Sequence, residues 1–499
     1  MPEFWRNPEF IRHARAELRA PRAITAGLLA LVVCALVGLG CWSAENTDLT
    51  RFFRIYHVWL VGIQFTVLGF WCASNCGQAI SRERDLKTYD FLKTTRLTST
   101  ELMVGKILGA PIMAYFVVGC SLPVSLVAGL LGDVDVGTLL GVYVLLIVFA
   151  LFVSLLGLWI SMQLEKSSSG VVGLLALFPI AWCFGFAFSP FPGFGSLSLF
   201  PAILTLYRAN TEIARIKPTV FGITASFLPL TIFLYAAFGA WLALMMIRNL
   251  KKDREQISLL SRWQAVGFGA FLNVLFYAFL DPKVVIGSAL HSLRPEDVSS
   301  LAMGVNGFFL IMVGLATINP HEKLKIWSRK RSSGEEGYFS ESGLPWPWIV
   351  ASALIAYFLL AAEAFGMRSA VAIDRWQLGT AAVQLVVLLI FVSRDILFLQ
   401  WCNITSMKRP LMGGILYLGL YYFAVSVISL VASLGSSSAF VFQLFSPWGV
   451  FLEQSRSLLD APGVWIGMGL QLFFVMVILK AISGRLRRPA TFRPEAAAA

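Results

Sequence analysis

The chain is expected to be an all-α, polytopic integral membrane protein. Of its 499 residues 57% are hydrophobic and 14% charged, where a soluble chain averages about 25% charged. Mean hydropathy is +0.74. Apolar runs long enough to cross a bilayer recur from end to end, separated by short charged or Pro/Gly-rich stretches.

The N-terminal stretch, Asn7 to Arg22, precedes the first such run. Arg12, Arg15, Arg19 and Arg22 form one helical stripe, with Phe10, Ile11, Ala14 and Leu18 on the adjacent face. That pattern predicts an amphipathic helix in the membrane surface, with the guanidinium groups among anionic headgroups. A cleaved signal peptide fits poorly, because the basic region is long and the apolar run behind it can span.

Twelve spans are expected, centred near Val32, Val67, Val117, Ile147, Leu177 and Phe233 in the first half. In the second half the centres are Leu272, Leu310, Leu354, Val386, Leu418 and Phe473. With the N-terminus in the cytoplasm, ten Lys/Arg remain outside and thirty of the 40 fall inside, while acidic residues divide more evenly. A bias confined to positive charge is what the positive-inside rule requires. An even span count then puts both termini in the cytoplasm, and the net charge of +12 reads as orientation in the membrane rather than nucleic-acid binding.

Two six-span halves, 1–256 and 257–499, join at a cytoplasmic connector carrying Lys251, Lys252 and Arg254. A weak repeat backs the division. Leu199-Phe200-Pro201 precedes the sixth span, and Leu444-Phe445-Ser446-Pro447 the twelfth, both in exterior loops. By the same alignment, the basic stretch from His321 to Pro347 corresponds to the segment described next, in diverged form.

That segment, Ser81 to Ala110, lies between the second and third spans. Arg82, Glu83, Arg84, Asp85, Lys87, Asp90 and Lys93 surround Leu86, Tyr89 and Leu92, which recur every three residues. This predicts one short helix with an apolar side. Thr94-Thr95 ends the pattern. Thr98 with Glu101 three residues on forms a capping box, flanked by Leu97 and Leu102 at the staple positions, so a new helix starts there.

The charged cluster, the turn through Arg96-Leu97-Thr98, and then Glu101 with Gly105-Lys106 resemble the cytoplasmic loop of the membrane-spanning permeases of type-2 ABC exporters. The likeness covers about 30 residues well and the first 250 loosely, and Asn7-Pro8 resembles the opening of that family's elbow helix. The resemblance implies contact with separate ATPase subunits through Arg82, Glu83, Arg84, Asp85, Tyr89, Arg96 and Glu101. It also implies an elbow helix carrying Arg12, Arg15, Arg19 and Arg22, and residence in the bacterial inner membrane. Glu83 and Arg84 are expected in water or against the partner, so that their loss impairs coupling and not folding.

No GxxxxGK[ST] occurs, so ATP must be bound by another polypeptide. No cofactor or metal site is expected: Cys72 and Cys76 sit one helical turn apart, but His13, His57, His291 and His321 are far from them. The span centres read as nearly free of ionisable side chains, which argues against an ion-coupled carrier. Gln64, Asn75, Asn273, Asn306, Gln384 and Gln471 remain there, as expected for hydrogen bonds between helices. An integral membrane enzyme or scaffold acting on lipid or envelope polymer is the alternative. Its best candidates are Asp133 and Asp135, which read more simply as an exterior hairpin flanked by Gly132 and Gly137.

The expected protein is therefore a transport subunit and not itself an enzyme. Its twelve spans form a fused pair of units, pair with a second permease chain, or homodimerise.

Overall fold

The computed structural model describes residues 7–44, 48–163, 195–207, 217–221, 223–252, 260–279, 295–319, 321–366, 375–405, 410–433, 444–447 and 462–487. The span expected near Leu177 and most of the connector after Lys252 lie outside them. The described residues are overwhelmingly helical and divide into two compact units, parting after Arg254. The chain is an all-α, multi-pass membrane protein. Seven described helices are long and apolar enough to cross a bilayer, or eight if one bent pair counts as a single span.

In the first unit the order is α1 (Pro8–Glu17), α2 (Ala20–Ala44), α3 (Leu49–Ala79), α4 (Ser81–Asp85), α5 (Tyr89–Thr94) and α6 (Ser99–Gly109). Then come α7 (Ile112–Leu131), α8 (Val136–Gln163), the short α9 (Leu199–Leu206), a two-residue hairpin pairing Thr219–Val220 with Ile223–Thr224, and α10 (Phe227–Asn249). Helix α3 is the hub, packing against α7 and α8, while α8 also packs against α10. Val61, Phe65, Leu68 and Cys72 of α3 meet Val118 of α7, Phe149 and Val153 of α8, and Tyr235 of α10 in one core. Hydrogen bonds join α3 to its neighbours: Gln64 donates to Ser121 at 3.0 Å, and Asn75 to the Ala110 carbonyl at 3.3 Å.

The N-terminal stretch is two helices and not one. Asn7 caps α1, accepting from the Glu9 and Phe10 N–H groups, with Pro8 in the first turn where its missing N–H costs nothing. Helix α1 stops at Glu17 because Pro21 can neither donate to that carbonyl nor fit its ring against it. Arg12 and Arg15 therefore stand on α1, Arg22 in the first turn of α2, and Arg19 between the helices.

In the second unit the helices are α11 (Arg262–Phe279), α12 (Pro295–Ala316), α13 (His321–Ser332), α14 (Trp346–Gly366), α15 (Arg375–Ile404), α16 (Pro410–Ser433) and α17 (Pro462–Arg487). Helix α15 is its centre: it packs on α12, α14, α16 and α17, and 72% of its most apolar window is buried. Helices α12 and α13 form the bent pair, at 83°. Arg262 at the start of α11 donates to the carbonyls of Glu341, Gly343 and Leu344, pinning the chain that leads into α14. Asn306 of α12 donates to Tyr277 of α11 at 2.9 Å, whereas Asn273 turns to the Gly269 carbonyl of its own helix.

Candidate functional site

The charged stretch after α3 folds as two short helices, where the sequence predicts one. Lys87 adopts a left-handed conformation, φ +56°, and the Thr88 N–H reaches back to the Glu83 carbonyl at 2.9 Å, closing a Schellman-type end on α4. The three-residue apolar stripe is broken with it. Tyr89 and Leu92 are buried, but Leu86 is 64% exposed.

The inner face of this segment is fastened to four helices. Glu83 is 8% exposed and sits between α1 and α6. It takes Lys106 Nζ at 2.7 Å on one carboxylate oxygen and the Arg12 guanidinium at 2.7 Å on the other. Arg12 also holds Glu9 at 2.7 Å, and Lys106, wholly buried, lies 3.1 Å from the same Glu9 oxygen. Two carboxylates and two cations thus form a closed, neutral square joining α1, α4 and α6. Burial raises the Glu9 pKa, but His13, Lys106 and Arg12 outweigh it and hold the group down at about 2, so it stays ionised. Arg84 donates to the Met162 carbonyl at the end of α8, at 2.8 Å, and its guanidinium stacks over the Tyr89 ring. The Tyr89 hydroxyl donates to the Leu250 carbonyl at the end of α10, and Lys251 donates to Thr95 O at 3.1 Å. Burial pushes the Tyr89 phenol up, which keeps it a donor.

Glu83 and Arg84 are therefore not solvent-facing, contrary to the sequence expectation. A run of alternating charges reads as a solvated face, yet here Glu83 is matched by opposite charge from α1 and α6, and Arg84 is tied to the end of α8.

Two glycines of α6 make room for α1. A Cβ on Gly105 would stand 2.7 Å from Glu9 Cβ and 2.9 Å from Asn7 Oδ1, and one on Gly109 would stand 2.9 Å from His13 Cβ. Asn7 also donates to the Glu101 carbonyl at 2.7 Å. The capping box is formed: Glu101 N–H donates to the Thr98 hydroxyl at 3.2 Å and its carboxylate accepts from Thr98 N–H at 2.8 Å. That hydrogen bond, together with the Thr98 hydroxyl, lowers the Glu101 pKa.

The outer face carries Arg82, Asp85, Leu86, Lys87, Asp90, Phe91 and Arg96, with Phe91 73% exposed. Of the residues the sequence singles out, Arg82, Asp85 and Arg96 are on this face, and Glu83 and Tyr89 are on the inner one. Arg12 and Arg15 of α1, with Arg19 just beyond it, line an open cleft of about 680 Å³ with Pro8, Ile11 and Ala16, while Arg22 pairs with Glu17 at 3.6 Å.

Asp133 and Asp135 form no paired acid site. Asp133 takes a left-handed turn conformation, and Asp135 accepts from the Thr138 N–H at the start of α8. In the second unit Arg394 and Asp395, which the sequence does not single out, lie buried in α15, paired at 2.6 Å. The apolar run stops at Ser393, but the helix continues to Ile404.

Comparison of the chain with protein-family models, with curated proteins and with solved structures returned no match.

Proposed function

We propose that the chain is the permease subunit of an ATP-driven bacterial ABC exporter, acting in the inner membrane with separate P-loop ATPase subunits. The observation that carries this reading is the two-faced α4–α5 segment. Its inner face is tied by ion pairs and hydrogen bonds to α1, α6, α8 and α10. Its outer face offers two apolar side chains, Leu86 and Phe91, ringed by charges. A push on such a face is delivered to several membrane helices at once, because buried ion pairs and packed cores do not deform continuously.

In this reading Leu86 and Phe91 insert into a groove of the ATPase, with Arg82, Asp85 and Arg96 at the rim. Large apolar side chains at the centre of an interface, with charges around them, are where binding energy concentrates. Helix α1 is the elbow on the cytoplasmic surface, with its Arg15 and the following Arg19 among headgroups. Twelve spans in two halves, with both termini cytoplasmic, complete the proposal. The second half acts as the partner of the first, or the chain pairs with another copy or a second permease.

Affinity purification from the native membrane tests it. The parent chain is expected to bring down a P-loop ATPase and ATP hydrolysis with it, and Leu86→Ser/Phe91→Ser to lose both while its yield is unchanged. Lys283→Ala/Arg294→Ala, expected in an exterior loop, should retain both. A parent chain that brings down no ATPase, or a Leu86/Phe91 variant that keeps it in full, would sink the proposal.

A further inference from the structure

Arg394 and Asp395 stand nineteen and twenty residues into α15, nine or ten before its end. At 1.5 Å per residue the helix is roughly 45 Å long, longer than a hydrocarbon core of about 30 Å, and the pair lies roughly 15 Å from its C-terminal end. Both side chains are buried. Buried charges are costly and persist only where protein groups answer each one.

Here all are answered. Arg394 Nε and Nη2 donate to Asp395 Oδ1 at 2.8 and 2.6 Å, and Nη2 also donates to Tyr422 at 3.1 Å. Nη1 donates to Tyr421 at 3.2 Å and to Gln471 Oε1 at 2.6 Å. Tyr422 donates in turn to Asp395 Oδ2 at 2.5 Å. The five guanidinium N–H groups are all used, and the pair is neutral.

The two neutral groups on Nη1 each make a second bond. Tyr421, from α16, donates its hydroxyl to the Phe445 carbonyl at 2.9 Å. Gln471, from α17, donates its amide to the Leu444 carbonyl at 2.8 Å. Both carbonyls belong to Leu444–Pro447, where two helical residues run into a turn. Carbonyls shut away from water need donors from protein. These two donors come from different helices, and one planar guanidinium orients both.

We propose that the Arg394–Asp395 pair is a buried latch that holds the Leu444–Pro447 turn against α15, α16 and α17. Tyr421 and Gln471 are its two fingers, and Asp395 with Tyr422 neutralises and seats the arginine. Arg394 is a positioning residue that acts on the turn through Tyr421 and Gln471. The latch stands independently of the exporter reading.

Cysteine accessibility in the full-length chain, reconstituted in bilayers, tests it. Ser446, 2% exposed, is replaced by Cys as the reporter, and its labelling by a membrane-impermeant maleimide is measured above the background of the unsubstituted chain. Slow labelling is expected with the latch intact. Arg394→Gln/Asp395→Asn removes both charges without stranding either, and should speed labelling about tenfold or more. Tyr421→Phe/Gln471→Leu leaves the ion pair in place and cuts only the fingers, and should do the same, so a failure of the first variant to fold leaves the question decidable. Unchanged labelling in the finger variant overturns the proposal. So does a folded Arg394→Gln/Asp395→Asn chain in which the Ser446→Cys reporter labels no faster, since the arginine would then not govern the turn.

Discussion

Glu83 shows how far one side chain can depart from what its neighbours in sequence suggest. Arg82 and Arg84 flank it and Asp85 follows, so locally it belongs to a solvated charge run. Its partners instead come from 71 residues upstream, Arg12, and 23 downstream, Lys106. Nothing in a single sequence pairs those positions. The energetic consequence is opposite to that of a surface charge. Glu83→Ala leaves Lys106, wholly buried, with Glu9 alone, and removing one member of a buried pair costs roughly 3–5 kcal/mol. Set against a typical stability of about 5–15 kcal/mol, that loss should be visible as lower yield and a lower melting temperature in detergent. Glu83→Gln keeps the shape and hydrogen-bonding capacity and should recover part of the loss. Asp90→Ala is the contrasting case: its carboxylate is exposed and, among the described residues, pairs with Lys93 in a surface contact, so it should change the melting temperature little. Equal melting temperatures for Glu83→Ala and Asp90→Ala would mean that the ion-paired square does not hold α1, α4 and α6 together.

At the scale of elements, what is legible in the sequence is local. The capping box at Thr98 and Glu101 depends on residues three apart, and it forms. The helix start at Asn7-Pro8 is equally local and forms too. What escapes a sequence reading depends on partners or on a rare backbone state. The break at Lys87 uses a left-handed residue that glycine usually supplies, so its side chain gives no warning. The end of α1 is readable in principle, since Pro21 sits four residues beyond Glu17, but the arginine stripe runs across that break and masks it. The docking of α1 on α6 rests on Gly105 and Gly109, which a sequence shows as glycines without showing what approaches them. Gly105→Ala places a methyl 2.7 Å from Glu9 Cβ, a backbone-near atom that cannot swing away, so α1 must shift. Overpacking of this kind costs roughly 1–3 kcal/mol, and it acts on a helix that ends nine residues beyond Pro8. Amide hydrogen exchange across α1 should therefore quicken several-fold in Gly105→Ala. Gly119→Ala, on α7 with open space at its Cβ, should leave α1 unchanged. Protection of α1 that is the same in both variants would show that the close approach at Gly105 is dispensable.

For the whole molecule the quantity to test is the parity of the topology, and a single pair of positions tests it. Asp133 follows α7, and Glu335 follows α13. Between them the described helices α8, α10, α11 and α12 make four crossings if each spans. Only α8 and α10 are long and apolar enough as single helices; α11 is 18 residues, and α12 qualifies jointly with α13 across their 83° bend. The charge bias leads one to expect an odd number, with the apolar stretch centred near Leu177 as the expected fifth crossing. Cysteines introduced at Asp133 and at Glu335 are thus expected to react with an impermeant reagent from opposite sides of the membrane. Labelling from the same side would mean that one of the five does not cross. The same positions would then divide the explanations: a reporter at Asn249, at the end of α10, should share the side of Glu335 if the Leu177 stretch spans and all later helices do. If Asn249 instead shares the side of Asp133, the missing crossing lies before it, and since α8 and α10 are both long enough, it must be the stretch at Leu177. An arrangement of that kind would leave the first unit with five crossings, an odd number, and would place the α4–α5 segment at Ser81–Thr94 on the opposite side from the chain that follows Lys252. The contacts from Tyr89 to Leu250 and from Lys251 to Thr95 hold those two places together, so they argue against that outcome.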